Sequence, residues 1–399
     1  MSSVPAYERD PYLRRLSVEV LVVGESDGRP YAVLDDTILY PEGGGQPADH
    51  GRLGDIGVID VQREDGEIRH YLESPASTGP AVLVLDWRRR YDHMQQHTAQ
   101  HLLSALALTR FGWATRSFHL GAEVSDIELD AAELSEADLG ALENAAITEI
   151  ATGRPIATRR VTAEEYAELD VRSRGLPAGH SGDIRLVEID GVDRNTCGGT
   201  HLRSTTEIES IKILDTERLR GGHRVRWVAG GRVRGRLSAH ESRSAALRGL
   251  FDTDESGLIE AASRKLEQLA EAKRRVRQLE ADLAEARAKA LGAGDEPIVT
   301  DHFENFDVGF LQQTARALLE RAPSKACLLT ASAETGSFFL IATGSGNPLD
   351  ADELGPRVAA LLEGRGGGSG AIFQGKAGSL DKREDALSLM RGAVEDRQS

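Results

Sequence analysis

Only two cysteines occur in 399 residues, and one of them, Cys197, stands four positions ahead of His201 in the run CGGTH. Two glycines and a threonine separate them, so a turn rather than a regular element is expected, with Gly198 and Gly199 free to take positive φ. A thiolate and an imidazole would then converge on one point. A hundred residues earlier, in HTAQH, His97 and His101 are also four apart. On a helix that spacing projects both rings from one face with Cβ atoms about 6 Å apart. Thr98 and Ala99 follow His97, so the glutamate of the helical HExxH motif is absent and a zincin-type base is not expected. A histidine pair alone is also what an ordinary helix surface shows. Three imidazoles with a soft thiolate are more specific, and match the preference of Zn²⁺ for N and S donors at about 2.0 to 2.3 Å in tetrahedral geometry. Four protein donors usually close a structural site, whereas a catalytic zinc keeps one position open, and the sequence leaves both readings standing.

These four residues need two scaffolds. Residues 14 to 90 read as short β segments (LSVEVLVV, YAVLDDTILY, IGVIDVQ, AVLVLDW) broken by Gly, Asp and Pro, which predicts a small β-barrel or sandwich over 1–90. From Tyr91 the pattern turns helical, with apolar residues at 102, 103, 106 and 108. A second helix is expected in LSEADLGALENAAITEIATGRP, capped by Ser135 and ended by Gly153 and Pro155. DIRLVEIDGV, EIESIKILDTE and HRVRWVAG then read as strands, completing an α+β metal-binding domain over 91–236.

The stretch 237–294 is rich in Ala, Leu, Glu, Arg and Lys, with Ile259, Ala262, Leu266, Leu269, Ala272, Val276, Leu279, Leu283, Ala286 and Ala290 at spacings of three and four. It predicts one long amphipathic helix: half of a hairpin, a homodimer coiled coil, or a solvated helix packed on its own domain. GAGDEP ends it, and 295–399 alternates strand and helix patterns around GRGGGSGAIFQGKAGS, as in a separate α/β domain, which is also open to homodimer contact. Cys327, in ACLLT, should be a buried apolar thiol.

Composition narrows the function classes. Two cysteines exclude a disulfide framework, and no apolar run approaches the roughly 20 residues of a membrane span. The N-terminus carries charges where a signal peptide needs an apolar core, so a cytoplasmic protein is expected. A net charge of −16 argues against nucleic acid, yet the basic residues are mostly Arg and the acidic ones are spread along the chain. That pattern fits solubility in a high-salt cytoplasm, where exposed charge is screened. The densest basic stretch runs from Arg218 to Arg236. On a strand, Arg224 and Arg226 share the face opposite Val225 and Trp227, available to phosphates or to the surplus carboxylates. Arg88, Arg89 and Arg90 form a smaller cluster.

HTAQHLLSAL and CGGTH, with YPEGGGQPADHG at 40–51 and GGHRVRWVAG at 221–230, closely resemble the editing domain of alanyl-tRNA synthetases. The chain looks most like the long form of the free-standing alanyl-tRNA editing proteins. GRGGGSGAIFQGKAG is similar to the C-terminal tRNA-binding domain of those synthetases, which also occurs on DHH-type phosphoesterases. The resemblance implies hydrolysis of the ester joining serine, and also glycine, to the 3′ end of alanine tRNA, at a Zn²⁺ held by His97, His101, Cys197 and His201. An aminoacylation pocket for alanine cannot exclude glycine by size or strongly reject a single added hydroxyl, so a second site must clear those products. Arg224 and Arg226, and Gly366, Gly367 and Gly368 in the last domain, are the implied tRNA contacts.

Gly43, Gly44 and Gly45 either bring backbone N–H groups to the terminal adenosine or make a tight turn. His119 and Gln100 are the candidate pocket residues, with a structural role the alternative for His119. Asp92 and His93 read as the cap and outer partners of the metal helix, or as plain helix-entry residues. Gln96 has no assigned role. Two rivals stand beside the hydrolase: a non-catalytic tRNA-binding module with structural zinc, and a phosphodiesterase, whose paired Asp and His motifs are represented only by the fragment DHM at 92–94.

Overall fold

The computed structural model describes residues 4–172 and 182–398, and the chain divides into two compact units, Met1–Ala246 and Leu247–Ser399. The first opens with six strands, β1 Arg15–Ser26, β2 Arg29–Leu34, β3 Gly51–Leu53, β4 Ile56–Glu64, β5 Glu67–Leu72 and β6 Gly79–Leu85. They close into a barrel in the order β1-β2-β5-β4-β3-β6, which leaves no sheet edge open. Two Asp-Gly pairs set its register. Asp27 and Gly28 (φ 52° and 73°) and Asp65 and Gly66 (φ 52° and 84°) supply the positive φ at both central positions that a two-residue hairpin turn requires. The second turn creates β5, which the apolar pattern alone does not announce. YAVLDDTILY is not one strand either: β2 stops at Leu34, and residues 35–50 leave the wall before β3.

The barrel core is built on aliphatic side chains (Val18, Ala32, Leu39, Val61, Leu72, Leu83), and His70, 1% exposed, is buried with the Thr37 hydroxyl. His70 Nδ1 faces Ala32 O at 3.2 Å and Nε2 faces Thr37 Oγ1 at 2.8 Å. Burial pushes this imidazole down to about 4. The unfolded chain, titrating near 6.5, takes up a proton that the folded chain refuses until about pH 4, so stability falls as pH drops through that window. Between pH 7 and pH 5 the loss from this group is about 2 kcal/mol. His70→Gln should shrink the pH 7 to pH 5 stability difference by that amount. All three tryptophans lie in the first unit (Trp87, Trp113, Trp227), so tryptophan fluorescence during urea unfolding checks it.

The helix that carries His97 and His101 runs Trp87–Phe111 and starts a turn earlier than Tyr91, because the Asp86 side chain caps it by accepting from Arg89 N. Asp92 and His93 therefore lie inside the helix and do not cap it. This helix is buried along most of its length. Met94, Leu102, Leu103 and Leu106 pack with Ile127, Val225 and Trp227 of a four-stranded sheet. The sheet order is Ile211–Leu219, Gly222–Ala229, Ser125–Leu129, Thr115–Leu120. Glu136–Thr152 packs beside the helix Trp87–Phe111; Ser135 forms a capping box with Asp138, and Gly153 ends the helix at φ 75°. A three-stranded sheet, Asp193–Thr196, Ile184–Ile189, Ile156–Val161, carries the chain into CGGTH. The EIE of EIESIKILDTE is not strand: a 3₁₀ turn covers Thr205–Ile208, and the strand begins at Ile211. Nor are Arg88, Arg89 and Arg90 one basic patch, since Arg90 is fully buried and bound to Asp49.

In place of one long helix there are two, Gly231–Phe251 and Leu258–Gly292. Ile259, Leu266, Leu269, Val276, Leu279 and Leu283, the expected seam, are exposed, whereas Ala284 and Ala288 are buried against the helix Val308–Arg321. Small side chains allow close helix approach there. The second unit is built on a five-stranded sheet ordered Ile298–Glu304, Ala326–Ala333, Gly336–Thr343, Ile372–Ala377, Arg365–Ser369. Its first pair is parallel and the other pairs are antiparallel. Gly366, Gly367 and Gly368 form its exposed edge strand rather than a loop. A Cβ on Gly366 or Gly368 would lie 2.3 Å from Gln374 O or 2.0 Å from Ile372 O, which accounts for glycine at these two positions. Cys327 is fully buried in the second strand, its thiol pushed up to about 12 by burial. Among the described residues, no helix is long and apolar enough to cross a membrane.

Candidate metal centre

The helix Trp87–Phe111 and the turn after Thr196 bring four donors together. His97, His101 and His201 are at most 3% exposed, with ring centroids 4.4 to 5.2 Å apart. Cys197 Sγ lies 3.4 Å from His97 Nε2 and 3.3 Å from His201 Nε2. Bond lengths of about 2.0 to 2.3 Å around a tetrahedral zinc set neighbouring donors about 3.3 to 3.8 Å apart, so these separations fit the ion. All four donor atoms lie within 4.8 Å of one another, and among the described residues this is the group so placed.

What aims the rings is the far nitrogen of each. Gln46 Oε1 accepts from Thr200 N at 3.0 Å, while Gln46 Nε2 donates to Thr200 Oγ1 at 2.9 Å. That bidentate pairing fixes the amide orientation, so His97 Nδ1, 2.9 Å from the same Oε1, is the N–H partner and Nε2 keeps its lone pair for the cluster. His101 Nδ1 donates to the Asp193 carboxylate at 3.3 Å, and Arg172 holds that carboxylate through Nε and a terminal nitrogen at 2.8 and 2.7 Å. His201 Nδ1 stands 3.2 Å from Thr98 Oγ1, which also accepts from Leu202 N. Each ring is thus oriented by an outer partner, the usual architecture of metal-binding imidazoles.

The charges follow. Burial alone would raise the Cys197 thiol, but His97 and His201 beside it hold it well below its ordinary value. Burial and the nearby His97 push His201 down to about 3. Burial opposes charge on His101 too, yet hydrogen bonds to Asp193 and Cys197 prevail and raise it to about 9. Asp193, which burial would raise, is lowered by its bonds to His101 and Arg172.

In CGGTH it is Gly199 that serves space rather than unusual φ, whereas a Cβ on Gly198 would meet nothing within 4 Å. Neither Gly198 nor Gly199 has a positive φ. A Cβ on Gly199 would lie 2.3 Å from His97 Cε1 and 2.8 Å from Gln46 Oε1, so only glycine lets the turn pass the ligand. In the other glycine run the tight-turn reading describes the backbone. Gly43 pairs with Gln46, and Gly44 and Gly45 have φ of 57° and 82°. Gly45 presses on Phe118, where a Cβ would lie at 2.5 Å, and the turn delivers Gln46 to His97. Gln46, Asp193 and Arg172 were not among the expected residues. Gln46 lies within the motif YPEGGGQPADHG, and Asp193 four residues before Cys197, but only the tertiary fold shows what they hold.

Residues 184–226 match the family described as Threonyl and Alanyl tRNA synthetase second additional domain. Along 405 residues the chain is 35% identical to alanyl-tRNA editing protein Aarsd1 of Mus musculus, covering 97% of each protein. The chain belongs to the alanyl-tRNA editing protein family. It is also 30% identical to alanyl-tRNA editing protein AlaX-L of Pyrococcus horikoshii over 93% of each. With the alanine–tRNA ligase of Halobacterium salinarum it shares 32% identity over 98% of this chain but 44% of the ligase.

The remaining expected residues of this family member spread over several settings. Gln100 is buried next to His101 in the chain and donates to Ser104 Oγ at 2.8 Å. His119 is exposed on its strand, 3.7 Å from Asp126. Gln96, without an assigned role, clamps Ala229 by exchanging two 3.0 Å hydrogen bonds with its backbone. Asp92 forks onto Arg232 and Met94 is core, so the DHM fragment assembles no dimetal site. Arg224 and Arg226 do share one face, opposite the buried Val225 and Trp227, and each is paired: Arg224 with Glu128 at 2.5 Å, Arg226 with Asp215 at 2.7 Å.

Proposed function

We propose that this protein deacylates alanine tRNA mischarged with serine, and with glycine, using Zn²⁺ held by His97, His101, Cys197 and His201. The observation that carries the reading is the convergence of Sγ and three imidazoles whose Nδ1 atoms are engaged by Gln46, Asp193 and Thr98. Family membership supports it, since the curated relatives are named for alanyl-tRNA editing. A bound zinc supplies Lewis-acid polarisation at the ester or at a water. The chain supplies the pocket: Gln46 and Asp193 fix the rings, and the burial of the cluster keeps bulk water from competing for the donors. In this reading residues 1–236 carry the hydrolytic site. Arg224, Arg226 and the glycine edge strand Arg365–Ser369 supply phosphate contacts remote from the ester, and domains over 237–294 and 295–399 extend the reach along the tRNA.

The test is deacylation of Ser-, Gly- and Ala-tRNA(Ala) before and after chelation, with zinc added back. Mischarged tRNA should be cleaved, correctly charged tRNA spared, and activity lost with the metal and recovered on its return. Equal cleavage of Ala-tRNA(Ala), or indifference to a chelator that removes the metal, would refute the proposal.

A further inference from the structure

A cavity of about 730 Å³ opens at the start of the metal helix, away from the four donors, and its lining is unlike the rest of this acidic chain. Four arginines face it (88, 89, 232 and 234) against two aspartates, Asp86 and Asp92. Arg232 is neutralised by Asp92 and Arg234 pairs with Glu209. Arg89 is tied at Nε to Ala48 O, a bond that positions it without removing its charge. Arg88 is exposed and, among the described residues, its side chain has no ion pair or hydrogen bond. With Asp86, Asp92 and Glu209 set against the four arginines, one positive charge remains, shared by Arg88 and Arg89 in the first turn of a 25-residue helix whose N-terminus the Asp86 carboxylate caps.

Two further features point to a ligand rather than to a solvated surface. His93 lines the cavity and is 4% exposed, yet its Nδ1 has no hydrogen-bond partner among the described residues, an expensive arrangement for a buried polar atom. Burial, with Arg89 nearby, pushes this imidazole down to about 4, so it meets a ligand as a neutral hydrogen-bonding group. On the same wall Trp87 and Tyr91 lie with ring centroids 5.4 Å apart, both partly buried and lining the cavity. The Arg14 guanidinium lies 4.0 Å over the Trp87 ring and Tyr12 packs against it, so these rings form a fixed wall of the cavity, while the guanidinium groups beside it offer cations to phosphates.

We propose that this cavity binds the phosphodiester backbone of the single-stranded 3′ end of the tRNA, just upstream of the nucleotide whose ester reaches the metal centre. This rests on the deacylase reading. The helix supplies the ruler: His93 on the cavity wall stands one turn before His97 on the same face, and Arg88 lies nine residues before His97, about 14 Å along the helix axis at 1.5 Å per residue. A stacked strand advances about 3.4 Å per nucleotide, so Arg88 lies within reach of the last few phosphates of a strand ending at the metal cluster. Arg88 acts in binding and positioning, not on the reacting atoms.

The experiment compares binding of two uncharged RNA acceptor-stem hairpins, one ending in single-stranded CCA and one lacking those three nucleotides, by fluorescence anisotropy with the full chain and its Arg88→Ala variant. Arg88 is exposed and has no partner among the described residues, so the variant should fold normally. Loss of one phosphate contact should raise Kd for the CCA hairpin about 3- to 10-fold and flatten the slope of log K against log salt by about 0.7, with no change for the truncated hairpin. In deacylation, Arg88→Ala should raise KM for Ser-tRNA(Ala) by the same factor at unchanged kcat, and leave hydrolysis of 3′-O-seryl-adenosine, which lacks phosphates, unaffected. Equal weakening on both hairpins, or on neither, overturns the proposal. A wild-type chain that cleaves neither ester removes the deacylase reading instead, and the hairpin comparison then still decides whether this cavity holds a 3′ end.

Discussion

Cys197→Ala is expected to yield a folded protein that retains little zinc and no measurable deacylation of Ser-tRNA(Ala). Cys197 supplies the cluster's thiolate, and its Sγ lies 3.3 to 3.4 Å from two imidazole nitrogens. Without it the remaining donors are three imidazoles, and His101, raised to about 9 in part by its bond to Cys197, loses one of the groups that perturb it. Outer partners of metal ligands are each worth about 10- to 100-fold in affinity, so loss of a donor itself should exceed 100-fold. Replacing the thiol by hydrogen at a turn position costs the fold little, because among the described residues Cys197 belongs to no apolar core cluster. Elemental analysis after gel filtration reads the metal, and single-turnover hydrolysis reads the chemistry. Full activity in a zinc-free Cys197→Ala protein sinks the assigned role. Cys327→Ala is the matched control: its thiol is buried in the second unit and its loss should leave the zinc content unchanged.

The donors were legible in the sequence because both pairs are local. His97 and His101 face together through helical periodicity, and Cys197 and His201 through a short turn, so residue type and spacing suffice. Their outer partners were not. Gln46 meets His97 across 51 residues and Asp193 meets His101 across 92, and no periodicity encodes such encounters. The true start of the metal helix was hidden by WRRR, which has no apolar rhythm; the capping carboxylate of Asp86 was the available signal. Spacing likewise found the Ile259 to Leu283 stripe but not which face is packed. There alanines won, since Ala284 and Ala288 admit the helix Val308–Arg321 at close range, while the larger residues stayed exposed. The glycines of CGGTH were read for backbone freedom, whereas the constraint at Gly199 is the imidazole of His97 above it, a neighbour visible only in three dimensions.

Asp49→Ala should destabilise the first unit by about 3 to 5 kcal/mol, because it strands a buried guanidinium. Arg90 and Asp49 are both fully buried. Arg90 Nε donates to Asp49 Oδ2 at 2.9 Å, its terminal nitrogens donate to Pro11 O at 2.7 Å and Ile38 O at 2.6 Å, and the same carboxylate accepts from Tyr40 N at 2.7 Å. Removing the carboxylate leaves one charge and one backbone N–H without their partner. Asp49→Asn keeps an acceptor for Tyr40 N but removes the countercharge, so it should lose less than Asp49→Ala. Arg90→Met on the Asp49→Ala background should recover part of the loss by removing the stranded charge, though not all of it, since Pro11 O and Ile38 O then lack their donor. The same pair joins the segment between β2 and β3 to the metal helix, with Gln46 three residues before Asp49 and His97 seven after Arg90. Loosening it should therefore also weaken zinc retention in a chelator competition while every donor is still present. Urea unfolding followed by tryptophan fluorescence reports this unit alone, since its three tryptophans are the only ones in the chain. A loss below 1 kcal/mol for Asp49→Ala would mean that apolar contacts, not this ion pair, hold the barrel segment to the helix that presents His97 and His101.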